Sequence, residues 1–369
     1  MTFRIYLLIV VLASPAVIAQ STKRAIDARG RQFVAFESFN SFTETHGSLA
    51  GETVLTSAPI LAGIHFNEVI VSWNAEAHQD SYLIIEARAS QSNAPTKYYK
   101  LGLWSTNPAR YPRQSVPNQK DSDGDVSTDV LMLSRPANQV QIRVTLGGDK
   151  IHGSALKFLG LSMTDTTISP SELPPNRDAW DKLIAVPERT QMIYPNGKTL
   201  CSPTTVSMLM GFWAQKLKRS ELDRSVPEIA AAIYDSQWQG TGNWPFNMAY
   251  AGSFPGMRAY VTRLSDVSEL EAWIVRGIPV GLSVDYDRLR GKGPGPNGHI
   301  VACVGFTKEG DPVINDPGTF QHVRKVFSRN NLAYSWAASK NTVYLVYHEN
   351  YSTPEDRFGH WASLTALSK

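Results

Sequence analysis

The chain has 369 residues, a formal charge of +3, 42% hydrophobic residues and 19% charged residues. At about 150 residues per domain the length points to two domains, and a charged share below the usual quarter or so excludes a disordered polyelectrolyte. The near-neutral balance excludes the common basic nucleic-acid binder, and two cysteines, Cys201 and Cys303, exclude both a disulfide-rich scaffold and a cysteine-ligated zinc or iron–sulfur cluster.

Residues 1–19 read as a secretory leader, with Arg4 before the apolar run Ile5 to Ala13, then Pro15 and the small residues ending at Ala19. Cleavage near Ala19 predicts a secreted or periplasmic protein. Gln20, not cysteine, follows the cut, so a lipid anchor is not expected. No later stretch approaches the roughly 20 apolar residues of a membrane helix. Residues 20–165 carry short runs rich in strand formers: Val69 to Trp73, Tyr82 to Glu86, Tyr98 to Trp104, Val130 to Leu133, Val140 to Val144 and Leu156 to Leu161. Turn pairs such as Asn107-Pro108 and Asp123-Gly124 separate them, and no helical period interrupts them. This predicts an antiparallel β-sandwich, jelly-roll-like. Residues 166–177, with Pro170, Pro174 and Pro175, read as a linker.

Residues 178–350 change to mixed helix and strand. Val206, Leu209, Met210 and Trp213 lie on one helical face. Further helices are expected over 227–234 and 267–275. Strands are expected over 279–285, 299–306, 312–315 and 342–347, an α+β arrangement. Residues 351–369 are left as a C-terminal tail.

Cys201 stands at the start of the first of these helices, with Pro203 in its first turn. Helix N-termini stabilise anions, and a nearby histidinium lowers a thiol further, which is what a nucleophilic thiolate needs. His299 follows a glycine-rich loop and opens an apolar strand. A hairpin return through Val313-Ile314-Asn315 carries Asp316 back toward it. Counting residues leaves the register a few positions off, so a bulge or strong twist is needed. Asp316 then orients the imidazole, and only one of Asn315 and Asp316 can face it. Gln191, ten residues before Cys201, is a candidate oxyanion donor beside the Cys201 N–H.

Gln191, Cys201-Ser202-Pro203-Thr204-Thr205, Gly298-His299-Ile300-Val301 and Asn315-Asp316-Pro317 together resemble the papain-like cysteine peptidases of the bacteriocin-processing, double-glycine type, in particular the stand-alone exported bacterial members. The resemblance covers about 180–350. It implies a papain-like fold, a triad of Cys201, His299 and Asp316, Gln191 in the oxyanion hole, a peptide or protein substrate, and no metal or organic cofactor. Gly240 to Asn247 resembles a stretch recurrent in the exported members and is expected near the cleft. The family often has glycine after the cysteine, where this chain has Ser202. No transporter ATPase domain accompanies the peptidase segment.

Other readings attach to the same residues. A non-catalytic protein binding peptide or cell-wall fragments, and an acyl transferase on the same site, are the alternatives to a peptidase. A Cys201–Cys303 disulfide competes with the triad. If Cys201 abuts His299, Cys303 sits about 13 Å along the strand, beyond the ~7 Å a disulfide tolerates. The acidic run Asp121 to Asp125 lacks full calcium-loop spacing and reads as a surface turn. Trp73, Trp104, Tyr98 and Tyr99 read as core aromatics rather than a ligand platform.

Overall fold

The computed structural model describes residues 29–76, 80–91, 94–148, 155–356 and 361–363; the predicted leader lies outside them. The N-terminal region is an antiparallel β structure of ten strands: β1 (Arg31–Phe36), β2 (Thr43–His46), β3 (Thr53–Thr56), β4 (Ile60–Glu76), β5 (Ser81–Gln91), β6 (Ala94–Pro95), β7 (Tyr99–Ser105), β8 (Gly124–Ser127), β9 (Val130–Gly148) and β10 (Ala155–Thr164). The strands run β1-β10-β4-β9-β3-β2, with β5 also on β9 and β7 on β5. Two expected strands, 130–133 and 140–144, are the two ends of the single strand β9. Pro136 is tolerated between them because pairing to β4 slips there, so no ladder hydrogen bond is asked of it.

The C-terminal region is mixed α/β. In order it holds β11 (Lys182–Leu183), α1 (Cys201–Leu217), α2 (Val226–Ile233), α3 (Trp244–Ala251), β12 (Met257–Arg263), α4 (Val267–Val275), β13 (Val280–Asp285), α5 (Tyr286–Leu289), β14 (Gly298–Phe306), β15 (Pro312–Asn315), β16 (Arg324–Val326), α6 (Arg329–Ala337) and β17 (Thr342–His348). Its sheet runs β12-β17-β13-β14-β15-β16. Helices α2 and α4 and strands β13, β14, β15 and β17 lie where periodicity placed them, within a residue or so. α3, β12 and α6 were not expected. α3 carried a readable start, since the Asn243 side chain accepts from Phe246 N–H and Pro245 sits in the first turn. Among the described residues, β18 (Trp361–Ser363) pairs in parallel with β1, so this segment rejoins the N-terminal sheet.

The two regions are joined through buried polar contacts. β12 is an outer strand, and its free edge would leave backbone groups unpaired. Side chains of β4 take the place of the missing strand. Asn74 donates to Ala259 O at 2.7 Å and accepts from Ala259 N–H at 3.1 Å, and Ser72 Oγ accepts from Val261 N–H at 2.9 Å. Nearby, Glu68 of β4 pairs with Arg263 at 2.7 Å and Lys340 at 2.5 Å, and Arg29 pairs with Asp266 at 2.6 Å. Phe246 of α3 packs edge-on against Trp73 and is tilted against Trp104. Residues 166–176 have no regular structure but are tied to α4, since Leu173 N–H donates to Asp266 and Asn176 N–H to Glu271.

Replacing Asn74 by alanine leaves both polar groups of Ala259 unpaired in a dry interface, each costing about 1–3 kcal/mol. The expected outcome for Asn74→Ala is a loss of about 2–6 kcal/mol in urea unfolding. If the regions were independent modules, the midpoint of the C-terminal region's transition would not move.

Candidate active site

α1 begins at Cys201 itself. Its N-cap residue, Leu200, offers no side-chain acceptor, so the first-turn N–H groups stay free for another partner. Instead of burying one face, α1 buries every residue from Ser202 to Ala214. It is a core helix packed between the sheet and helices α2 and α3, which is why its polar residues are small and bonded. Ser202 Oγ meets Tyr344 OH at 2.8 Å, Thr205 Oγ donates to Ile300 O at 2.9 Å, and Trp213 Nε1 donates to Val346 O at 2.7 Å. These bonds fix Cys201 above the start of β14.

His299 is the second residue of β14 and is buried. β15 returns antiparallel, pairing Ala302 with Asn315 and Cys303 with Ile314, and the register then shifts by one so that Gly305 meets Val313. That bulge is the irregularity the residue count demanded. Gly305 is required there, because a Cβ would lie 2.1 Å from Lys182 O of β11. Beyond β15, Asp316 Oδ1 reaches His299 Nε2 at 2.9 Å. Asn315 turns the other way, donating to Val186 O and Pro187 O and accepting from Arg324. The Cys201 thiol and His299 act on each other electrostatically, each favouring the other's charged form.

Gln191 is buried close by without bonding to the other three. Its N–H donates to Pro317 O at 3.0 Å, and its carbonyl accepts from Tyr194 N–H, which anchors it between the Asp316 loop and the turn leading to Cys201. Its carboxamide oxygen has no hydrogen-bond partner among the described residues.

Burial alone would push the Cys201 thiol up. The hydrogen bond and charge of His299, with the N–H groups of Ile300 and Ser202, hold it below the ordinary thiol value. Burial would push His299 down, yet Asp316 and Cys201 raise it to about 9. Burial would likewise raise Asp316, but His299, Gly318 N–H and Tyr286 OH keep it below the ordinary carboxylate value. All three shifts favour the charged forms, thiolate, imidazolium and carboxylate. Cys303 has no such partner, and burial raises it to about 12. Both cysteines are free.

Sequence reading missed Tyr286. Its OH donates to Asp316 Oδ2 at 2.8 Å and its ring lies 4.1 Å from the His299 ring. Antiparallel pairing of β13 with β14 was the available signal, since it sets Val284 opposite His299, and Tyr286, two residues on, lies on the same face as the imidazole. A cavity of about 920 Å³ opens beside Leu200, between Met192, Tyr194, Pro227 and Tyr234, with Gly240 and Thr241 on its wall. The expected stretch 240–247 is thus next to the residue preceding Cys201. A second cavity, about 400 Å³, lies at Gly298 between Trp244, Asp285 and Met132. Asp121 is occupied by Lys97, Tyr99 and two N–H groups, and among the described residues no cluster of three ligating side chains could hold a metal. Trp73, Trp104 and Tyr99 are core residues.

Residues 183–344 match the Peptidase_C39 like family, a cysteine peptidase-type fold, and residues 28–158 match the Peptidase C39 N-terminal domain. The two matches, over separate parts of the chain, support a C39-like peptidase. No curated protein matches it. Among the described residues, no helix is long and apolar enough to cross a membrane.

Alkylation by iodoacetamide tests the pair without a substrate. Cys201 is expected to react well below the pH at which an ordinary thiol does, while Cys303 stays inert. Removing the Asp316 charge with Asp316→Asn should bring the upper titration, near 9, down toward the ordinary histidine value of about 6.5. A Cys201 that reacts only as a free thiol would remove the electrostatic basis of the site.

Proposed function

We propose that the protein is an exported thiol peptidase or amide hydrolase acting on a peptide or protein. The observation that carries this reading is the buried His299–Asp316 pair at 2.9 Å, coupled electrostatically to the Cys201 thiol at the start of α1. Cys201 Sγ attacks the scissile carbonyl carbon. The Cys201 N–H and the Gln191 carboxamide stabilise the oxyanion. His299 delivers its proton to the leaving amine as the C–N bond breaks, giving a thioester acyl-enzyme. Water, deprotonated by His299, attacks the thioester and releases a carboxylate and the free thiol.

The two cavities support a substrate lying across the site, since one touches the residue before Cys201 and the other the residue before His299. The finer architecture we propose is a β-sandwich over 20–165, a linker over 166–177 and a papain-like domain over 178–350, exported after cleavage near Ala19. The antiparallel strands β1 to β10 and the placement of the Cys201 helix against the second sheet support the division into two domains.

Hydrolysis of a peptide library, read by mass spectrometry, tests the activity. Cys201→Ala and His299→Ala should each lower turnover at least about a thousandfold. Activity should decline as pH rises through about 9, where His299 loses the proton that the leaving group needs. Intact peptides under all conditions, with Cys201 activated, would overturn the hydrolase reading. Amide products formed from an added amine, with no carboxylate, would replace it with acyl transfer.

A further inference from the structure

Asp316 is asked to do two incompatible things. It must remain ionised although almost fully buried, and it must hold one oxygen on His299 although a carboxylate can rotate. The first oxygen, Oδ1, accepts from His299 Nε2 at 2.9 Å and from Gly318 N–H at 2.9 Å. The second, Oδ2, accepts from Tyr286 OH at 2.8 Å. With donors on both oxygens the carboxylate has one rotational setting, and it is the one facing the imidazole.

Tyr286 is itself held. It opens α5, whose N-cap Asp285 accepts from Asp287 N–H, Arg288 N–H and Gly295 N–H, fixing the short helix and its following loop. Its ring lies against the imidazole on one side and carries the Arg290 guanidinium, 4.0 Å from its centroid, which also pairs with Asp287. A cation against the ring draws electron density from the phenol and makes its O–H a better donor. The fourth wall is a vacancy. A Cβ on Gly318 would stand 2.9 Å from Tyr286 OH, 3.1 Å from His299 Nε2 and 3.2 Å from Asp316 Oδ1, at the junction of all three groups. The backbone there does not require glycine, since Gly318 is not among the positive-φ residues. Its small size is what the junction uses.

We infer that Tyr286 is a positioning residue for the reaction proposed above: its hydroxyl, admitted by the missing side chain at Gly318, locks the Asp316 carboxylate onto His299 and keeps it ionised. Tyr286 touches neither the thiol nor the scissile bond in this scheme. It acts through Asp316. Losing the hydroxyl strips Oδ2 of its donor, so Asp316 takes up a proton more readily. A neutral Asp316 no longer supports the imidazolium, and the Cys201 thiol then regains its proton at higher pH.

The experiment compares wild type, Tyr286→Phe and Gly318→Ala. Cys201 alkylation is followed across pH, together with kcat and KM on whichever peptide the wild type cleaves. Tyr286→Phe keeps the ring stack and removes only the O–H. Gly318→Ala keeps the O–H and wedges a methyl against it and against His299 Nε2 alike, so it tests the junction as a whole while Tyr286→Phe isolates the hydroxyl. Both should move the acid limb of the alkylation profile upward by about half a pH unit or more. Both should lower kcat roughly tenfold to a hundredfold, the scale of one hydrogen bond to a charged group, with KM within about twofold. The far-downfield proton of the His299–Asp316 hydrogen bond, seen by NMR in the wild type, should shift or vanish. A purely structural tyrosine would lower the melting temperature and leave the pH profile in place, and that result overturns the inference. An ordinary thiol profile in the wild type would instead overturn the peptidase reading on which the inference rests.

Discussion

The hydrogen bond between His299 and Asp316 depends on one irregularity in one hairpin. Ala302 pairs with Asn315, and extending that register by one residue sets Asp316 opposite Val301, on the His299 face of β14. Without the shift between Cys303 and Gly305, the count would set Asp316 opposite Ala302 and turn it to the other face. Asn315 would then face the imidazole, because a one-residue slip reverses every side chain on a strand. The choice of a charged third member over a neutral amide is thus made by a bulge. The bulge in turn is made possible by a glycine against which β11 can lie.

The position of Cys201 depends on different contacts. α1 is buried on all sides, and its small polar residues bind the sheet directly, through Thr205 to the carbonyl of Ile300 and through Ser202 to Tyr344. Ser202, a departure from the glycine often found after such a cysteine, therefore ties the helix that carries Cys201 to β17. Thiol and imidazole are carried by elements about a hundred residues apart in sequence. They are brought together by these interior bonds rather than by a flexible loop, which suits a site held on rigid elements.

The N-terminal region belongs to the same solid body. Asn74 and Ser72 complete the free edge of β12, Glu68 gathers Arg263 and Lys340, and β18 returns to pair with β1. Trp244, which lines the cavity at Gly298, has its N–H held at 2.6 Å by Asp129 of the β8–β9 turn. The wall of the C-terminal cleft is therefore partly built by the N-terminal sheet.

Much of this was legible in the chain. Periodicity marked α2, α4 and four strands of the C-terminal sheet, because each is long or regular enough to show its buried face. Chemistry marked Cys201 at a helix start, His299 at a strand mouth and Asp316 on the return strand, because nucleophile, base and orienting acid have few alternatives in a chain with two cysteines. Three features were decided only by tertiary structure. Val130 to Gly148 became one strand through its partners. Tyr286 became the donor to the second oxygen of Asp316 through the β13–β14 pairing. The N-terminal sheet was fused to the C-terminal one through side chains that replace a strand. Local pattern encodes which face an element buries, and only the packed chain fixes which distant residue it meets.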